Sequence, residues 1–296
     1  MNLPSRHALP RLTCARAPLT RSVDAIDQTG ARQQVSIPAE RALTVFVDKR
    51  ELVTLMTLGS QPELLVLGYL RNQRLVRSAQ EVESITVDWD VGVAAVRTRE
   101  GISDIEARTS SRVVTTGCGQ GSMFGGLMDD VAQMVLPQAT VTQSQLYGIV
   151  DAIRLQESIY KAAGSVHGCA LFRGQQILMF VEDVGRHNAI DTIAGWMWMQ
   201  AGEDMLGDDK IFYTTGRLTS EMVIKSAQMG VPILVSRSGI TQMGHALAHD
   251  LGLCTIGRAT NKRFLCFSGE HRLQLEAGLA GPRLRVACTT PDPVPR

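Results

Sequence analysis

Three stretches of this sequence set polar or nucleophilic side chains directly after apolar, β-branched runs. The first reads Arg112-Val113-Val114-Thr115-Thr116-Gly117-Cys118-Gly119-Gln120-Gly121-Ser122. Here a strand runs into a loop whose backbone is freed by Gly117, Gly119 and Gly121, with Gly125 and Gly126 beyond. A structural cysteine gains nothing from such a place, whereas a thiol that must visit two partners does. The plain alternative is a glycine turn with an incidental cysteine. The second stretch, Glu182-Asp183-Val184-Gly185-Arg186-His187-Asn188-Ala189, joins a strand to a helix. Crowding Glu, Asp, Arg, His and Asn at a strand's end is costly unless they bind a ligand or one another. In open α/β sheets, ligands sit at the carboxyl ends of strands. A helix cap with a local salt bridge explains the same residues more simply. The third, Thr214-Thr215-Gly216-Arg217-Leu218-Thr219-Ser220-Glu221-Met222, is another strand–turn–helix. The free N–H groups of that helix start suit a phosphate, with Arg217 beside them; an ordinary turn capped by Thr219 is the alternative. His167, in Val166-His167-Gly168, stands between a helix and a strand. Beside Cys118 it could lower the thiol's pKa or carry its proton; elsewhere it is structural.

These residues need elements to position them. Residues 43–47 and 52–56 alternate as a hairpin around a polar turn at 48–51, and 63–70 reads as a short apolar helix. A second strand pair falls at 84–88 and 91–97. Beyond it, helices at 145–161, 187–200, 219–229 and 241–251 alternate with strands at 169–172, 176–181, 210–214, 231–236, 254–257 and 264–267. Thr142 with Gln145 offers a capping box for the first of these helices. Strands alternating with helices mean a mixed α/β layer fold. The expected organisation is a flexible tail over 1–34, a β-rich subdomain over 35–110, an α/β core over 111–275 carrying the Cys118 loop, and a tail over 276–296.

Composition narrows the function classes. The 296 residues carry 30 basic and 29 acidic side chains, a net charge of +1, which speaks against a general nucleic-acid binder. No run approaches the roughly 18 apolar residues that span a bilayer, so no membrane span is expected. Arg6, Arg11, Arg16 and Arg21 faintly suggest a presequence, but Pro4, Pro10 and Pro18 interrupt any amphipathic helix there. The six cysteines, Cys14, Cys118, Cys169, Cys254, Cys266 and Cys288, form no C-x-x-C pair, so no metal site is expected. With no secretory leader, the expectation is free thiols in the cytoplasm.

The ordered set of these segments resembles the formate dehydrogenase accessory sulfurtransferase (FdhD) family over about residues 36 to 275. It includes Met56-Thr57, Glu63-Leu64 and Gly68-Tyr69-Leu70, the Cys118 loop, the His167 segment, the run from Glu182 to Asn188, Gly216-Arg217, Pro232-Ile233-Leu234-Val235-Ser236 and Arg263-Phe264. The resemblance implies a cytidine-deaminase-like mixed sheet with flanking helices. It implies a sulfurtransferase that takes sulfane sulfur from a cysteine desulfurase as a persulfide. That sulfur passes to the molybdenum cofactor, a bis-molybdopterin guanine dinucleotide, before insertion into the formate dehydrogenase catalytic subunit. Carried over, Cys118 bears the persulfide, with His167 as a helper. The cofactor is expected at Phe264, Leu265, Cys266, Phe267, Ser268 and Gly269, with Gly216, Arg217, Arg186 and His187. No cofactor is held tightly, a guanine nucleotide serves as an analogue, and a homodimer is implied. The deaminase chemistry of similar folds is not expected, since no H-x-E with P-C-x-x-C set occurs. Three positions depart from the family pattern: Gly121 replaces a second loop cysteine, Thr192 a lysine and Phe267 a tyrosine. Without that second thiol, a single-cysteine relay survives. Two other readings compete: a chaperone that binds the cofactor without moving sulfur, and a nucleotide-binding enzyme built on Arg217 and the cluster from Asp183 to His187.

Overall fold

The computed structural model describes residues 8–110, 112–114, 122–124, 134–200 and 207–279. Two mixed sheets organise the chain. The first contains β1 (Arg11–Leu12), β4 (Arg41–Val47), β5 (Arg50–Thr57), β6 (Val82–Asp88) and β7 (Val93–Thr98), in the order β1-β6-β7-β4-β5. Alternation along β4, with a bulge at Leu52 in β5, turns Leu43, Val45, Val47, Leu52 and Leu55 to one face, where they meet Leu65, Val66 and Leu70 of α1 (Pro62–Asn72). The expected turn is present, with Asp48 and Lys49 both at positive φ.

The stretch expected as a flexible tail over 1–34 is corrected in its described part. β1 joins the first sheet, and β2 (Thr20–Ile26) pairs with β3 (Arg32–Pro38). The turn between them is tied by the Asp27 carboxylate, which accepts from the N–H groups of Thr29 and Ala31. This hairpin buries no full face, so its sequence lacks an apolar stripe. The tail expected over 276–296 is likewise anchored at its start, where Ser144 N–H donates to the Glu276 carboxylate at 2.6 Å.

α2 (Ile105–Ser110) leads to β8 (Arg112–Val114) and β9 (Ser122–Phe124), an antiparallel pair closed at Val114 and Ser122. β10 (Val141–Thr142) then enters α3 (Gln143–Leu155), whose capping box at Thr142 and Gln145 is formed as expected. The single helix expected over 145–161 is two. α4 (Ile159–Ala163) starts anew because Ser158 caps Lys161 N–H and the Glu182 carboxylate takes the N–H groups of Ile159 and Tyr160.

The second sheet holds β11 (His167–Arg173), β12 (Gln176–Asp183), β13 (Lys210–Thr214), β14 (Ile233–Ser236), β15 (Cys254–Thr260) and β16 (Arg263–Ser268), in the order β12-β11-β13-β14-β15-β16. β13, β14 and β15 are parallel; β11 runs against β12 and β13, and β16 against β15. The short β17 (Leu273–Gln274) pairs with β10. One face of the sheet packs Ala170, Phe172, Tyr213 and Val235 against Leu146 and Ile149 of α3. The other packs Leu171 and Phe212 against Ala189, Ile190 and Ile193 of α5 (Arg186–Met199) and Met222 of α6 (Ser220–Gln228). α7 (Gln242–Asp250) is capped by Thr241 through Gly244 N–H. Thr219 occupies the expected cap position of α6, but its side chain makes no cap bond.

The two sheets are joined through α1 and α5, which cross with their backbones in contact. A Cβ on Gly68 would lie 1.6 Å from the Asp191 carbonyl, and one on Gly195 would lie 2.0 Å from that of Leu64. Only glycine fits either place. Gly68→Ala should cost about 1–3 kcal/mol through overpacking, read as a lower urea midpoint at unchanged slope. Among the described residues, no helix is long and apolar enough to cross a membrane.

Candidate functional site

The strand directions bring the carboxyl ends of β12, β13, β14 and β15 to one side, together with the start of β11. A cleft of about 720 Å³ opens there, on the α3 side of the sheet. Its floor is Phe180, Tyr213 and Ala259, and its rim carries Thr215, Ser238, Thr260 and Asn261. α3 contributes Ile153 and Arg154, and α4 contributes Tyr160 and Lys161. Arg237 enters just past β14. Three cations therefore line the cleft with one acid, Glu182, whose carboxylate is engaged by the backbone of α4; Arg154 and Lys161 also pair with the exposed Asp151 and Glu157 outside it. The balance favours an anionic guest, with aromatic surface for a flat one.

His167 and Gly168 line this cleft where β11 begins. The loop after β13 is fixed beside them: Thr215 N–H donates to the Gly168 carbonyl at 2.9 Å and Gly168 N–H to Thr215 Oγ1 at 3.1 Å. His167 Nδ1 lies 3.5 Å from that same Oγ1. Burial, and then the charges of Arg186 and Arg217, push its pKa below the ordinary histidine value. His167 is thus a neutral imidazole at neutral pH, able to accept a proton.

The second and third sequence motifs meet at Gly216. Its N–H donates to Thr214 Oγ1, Ser236 Oγ donates to its carbonyl at 2.6 Å, and a Cβ there would lie 2.6 Å from Arg186 Cδ. Glycine at this turn lets the buried Arg186 side chain lie against the backbone. Arg217 is exposed next to it. His187, one residue on, is turned about 100° around the helix and faces inward. It is 6% exposed, and its Nδ1 lies 3.2 Å from Glu221 Oε1. Burial drives its pKa down to about 3 despite that carboxylate. The chain of contacts continues from Glu221 to Lys225 Nζ at 3.0 Å, to Asp191 at 2.8 Å, and to Asn72 of α1 at 2.7 Å. His187 therefore belongs to a buried polar network rather than to the cleft wall.

Asp183 and Asn188, in the same motif, join the two sheets. The Asp183 carboxylate accepts from Thr57 Oγ1, Leu58 N–H, Gly185 N–H and Asn188 Nδ2, and Asn188 also donates to the Met56 carbonyl. Burial pushes the Asp183 carboxyl up, and these four donors oppose the shift.

The segment 264–269 runs away from the cleft. Arg263 pairs with Thr260 at the cleft end of β15, while Ser268 pairs with Thr255 toward the other end. Phe264 packs on Tyr147 of α3, with centroids 6.2 Å apart, and Leu265 is exposed. Cys266 is half-buried beside Cys254. The Phe267 ring covers Gly257, close to the Ser238 carbonyl. Ser268 Oγ donates to the Leu253 carbonyl, and Gly269 takes the left-handed conformation at φ 66°. None of the six lines the cleft. Cys118 lies outside the described residues; it is the middle residue of 115–121, which join β8 to β9. The cleft residues Arg154, Tyr160, Lys161, Tyr213, Arg237 and Asn261 carry no local motif, and only the strand order and α4 gather them.

The profile of the FdhD/NarQ family matches residues 38–274. The sulfur carrier protein FdhD of Halalkalibacterium halodurans is 28% identical over 258 residues, covering 86% of this chain and 94% of that protein. The protein of that name from Staphylococcus aureus is 28% identical over 235 residues, covering 79% and 88%. A crystal structure from Desulfotalea psychrophila, described as a formate dehydrogenase accessory protein, superposes with a TM-score of 0.68 at 23% identity. It covers 86% of this chain and 100% of its own.

Proposed function

The chain belongs to the FdhD/NarQ family, and from that premise we propose that it is a sulfur carrier that serves the maturation of a formate dehydrogenase. The observation that carries this reading is the extent of the family match, which spans the Cys118 loop, the His167 segment and both turn motifs. Relatives named as sulfur carrier proteins support it.

In this reading the chain acts as a sulfurtransferase. The Cys118 thiolate attacks the outer sulfur of a persulfide on a cysteine desulfurase. The donor's S–S bond breaks, its cysteine leaves as a thiolate, and the outer sulfur stays on Cys118. In the second transfer the S–S bond on Cys118 breaks, Cys118 leaves as a thiolate, and the sulfur goes to the substrate, the molybdenum cofactor bis-molybdopterin guanine dinucleotide, which would supply the two electrons that take sulfane sulfur to the sulfide level; the formate dehydrogenase catalytic subunit then receives the cofactor. The cytoplasm is the compartment, a homodimer the working form, and a cytidine-deaminase-like sheet the scaffold. The six-stranded mixed sheet, with helices on both faces, supports that last assignment.

The substrate's pyrophosphate groups suit the cations of the cleft, and Tyr213 with Phe180 gives a base apolar surface. Arg154, Lys161 and Arg237 would hold the phosphates, and neutral His167 would hold or take a proton beside them. A guanine nucleotide should bind on a micromolar scale, about 8 kcal/mol, and an adenine nucleotide more weakly. Arg237→Ala removes a charge-assisted contact worth about 1.5–3 kcal/mol and should weaken GDP binding by at least about tenfold. Calorimetry with GDP and ADP tests this. Equal binding of both, or of neither, contradicts a guanine site.

A further inference from the structure

Two thiols with no part in the sulfur relay meet at the far edge of the second sheet. Cys254 opens β15, and Cys266 lies on the neighbouring antiparallel strand β16. Ile256 pairs with Cys266 and Thr255 with Ser268, so the register shifts by one and Phe267 is the extra residue of a bulge. Residues two apart on a strand share a face, so Cys254 lies with Ile256, and Cys266 stands across from Ile256. Both sulfurs accordingly enter the same core cluster beside α3. The β16 end is pressed onto Cys254: a Cβ on Gly269 would lie 2.7 Å from Cys254 Cα. Cys266 Sγ donates to the Ser268 carbonyl at 3.3 Å, and the Cys254 thiol is near enough for the two cysteines to shift each other's ionisation. Both are free cysteines; Cys254 is fully buried, while Cys266, on an edge strand, is half-exposed.

We propose that Cys254 and Cys266 are a redox-active pair, closed to a cross-strand disulfide by a peroxide. The exposed member reacts first. The neighbouring Cys254 thiol favours the thiolate of Cys266, whereas that same neighbour, and then burial, disfavour the thiolate of Cys254. A reachable thiolate beside a resolving thiol is the arrangement that peroxide-sensing cysteines share. Cys266 sulfur attacks one peroxide oxygen and the O–O bond breaks. The sulfur is oxidised by two electrons to a sulfenic acid, and hydroxide leaves. Cys254 sulfur then attacks that of Cys266. The S–S bond forms, the S–O bond breaks, and the Cys254 proton departs with the hydroxyl as water. The disulfide staples β16 to β15 at the bulge, where Phe267 covers Gly257. This inference rests on strand register and is independent of the sulfur-carrier reading.

The test uses the full-length protein, exposed to hydrogen peroxide, quenched with catalase, alkylated, digested and weighed. The expected result is a linked peptide pair joining Cys254 and Cys266 in most chains, lighter by two hydrogens than the two thiol peptides together and separated again by dithiothreitol. In Cys254→Ala the link should vanish and Cys266 should be trapped by dimedone as a sulfenic acid; Cys254→Val keeps the apolar volume if alanine does not fold. The proposal is overturned if, in the parent protein, both cysteines remain alkylatable. It is also overturned if Cys266 over-oxidises while Cys254 stays reduced, or if either joins a different cysteine.

Discussion

Cys118→Ala is expected to bring formate dehydrogenase activity to background in cells that lack their own sulfur carrier, while the purified variant melts where the parent does. Cys118 is the only cysteine in the glycine-rich stretch 115–121, and position 121 is a glycine. No neighbouring loop thiol can take over the sulfur. Removing the covalent nucleophile of a serine protease costs on the order of a millionfold, so partial activity is not expected here. Cys118→Ser should fare no better, since an alkoxide cannot hold sulfane sulfur through an S–S bond. Cys14→Ala and Cys288→Ala serve as controls and should retain full activity; Cys14 is exposed, and Cys288 lies outside the described residues. Full activation by Cys118→Ala contradicts the relay.

Lys225→Met should produce the largest loss of stability. Its ammonium lies between the Asp191 and Glu221 carboxylates, at 2.8 and 3.0 Å, and all three side chains are at most 3% exposed. Both carboxylates raise the Lys225 pKa against the effect of burial. Methionine leaves two carboxylates and a neutral His187 in the same buried space, at a cost of about 3–5 kcal/mol. The pH dependence follows in sign. Burial already holds the Asp191 carboxyl above its ordinary value, and Lys225 opposes that shift, so its loss raises the folded-state pKa further. A carboxyl whose folded pKa lies above the unfolded one contributes stability in acid and loses it as pH rises through the folded value. The deficit of Lys225→Met should therefore be greatest at neutral pH and shrink toward pH about 4, where unfolded carboxyls also begin to protonate. Urea midpoints across that range measure it. A variant as stable as the parent at neutral pH shows that the network carries no such burden.

Alternation and capping make much of the fold legible in the sequence. The hairpin of β4 and β5, the helix over α1 and the Thr142 capping box each depend on residues close in sequence. The β2–β3 hairpin was not legible, because a strand pair exposed on both sides shows no apolar face. Nor was the break between α3 and α4, which Glu182 imposes from another strand. The site shows the same division. His167 is on the cleft and Arg186 against Gly216, as motifs at strand ends suggest. The direction of His187 depends on Glu221, whose helix follows β13, and the segment 264–269 leaves the cleft because β16 runs antiparallel to β15. Lys161 and Arg237 meet only through topology, so no spacing rule could join them.

Whether Cys118 carries sulfur is decided by mass spectrometry. The protein is incubated with a cysteine desulfurase and cysteine, then weighed intact and as peptides without reductant. One added sulfur, about 32 Da, is expected on the peptide containing Cys118, removed by dithiothreitol and absent from Cys118→Ala. Sulfur that never appears on the protein, or appears only on another cysteine, contradicts it.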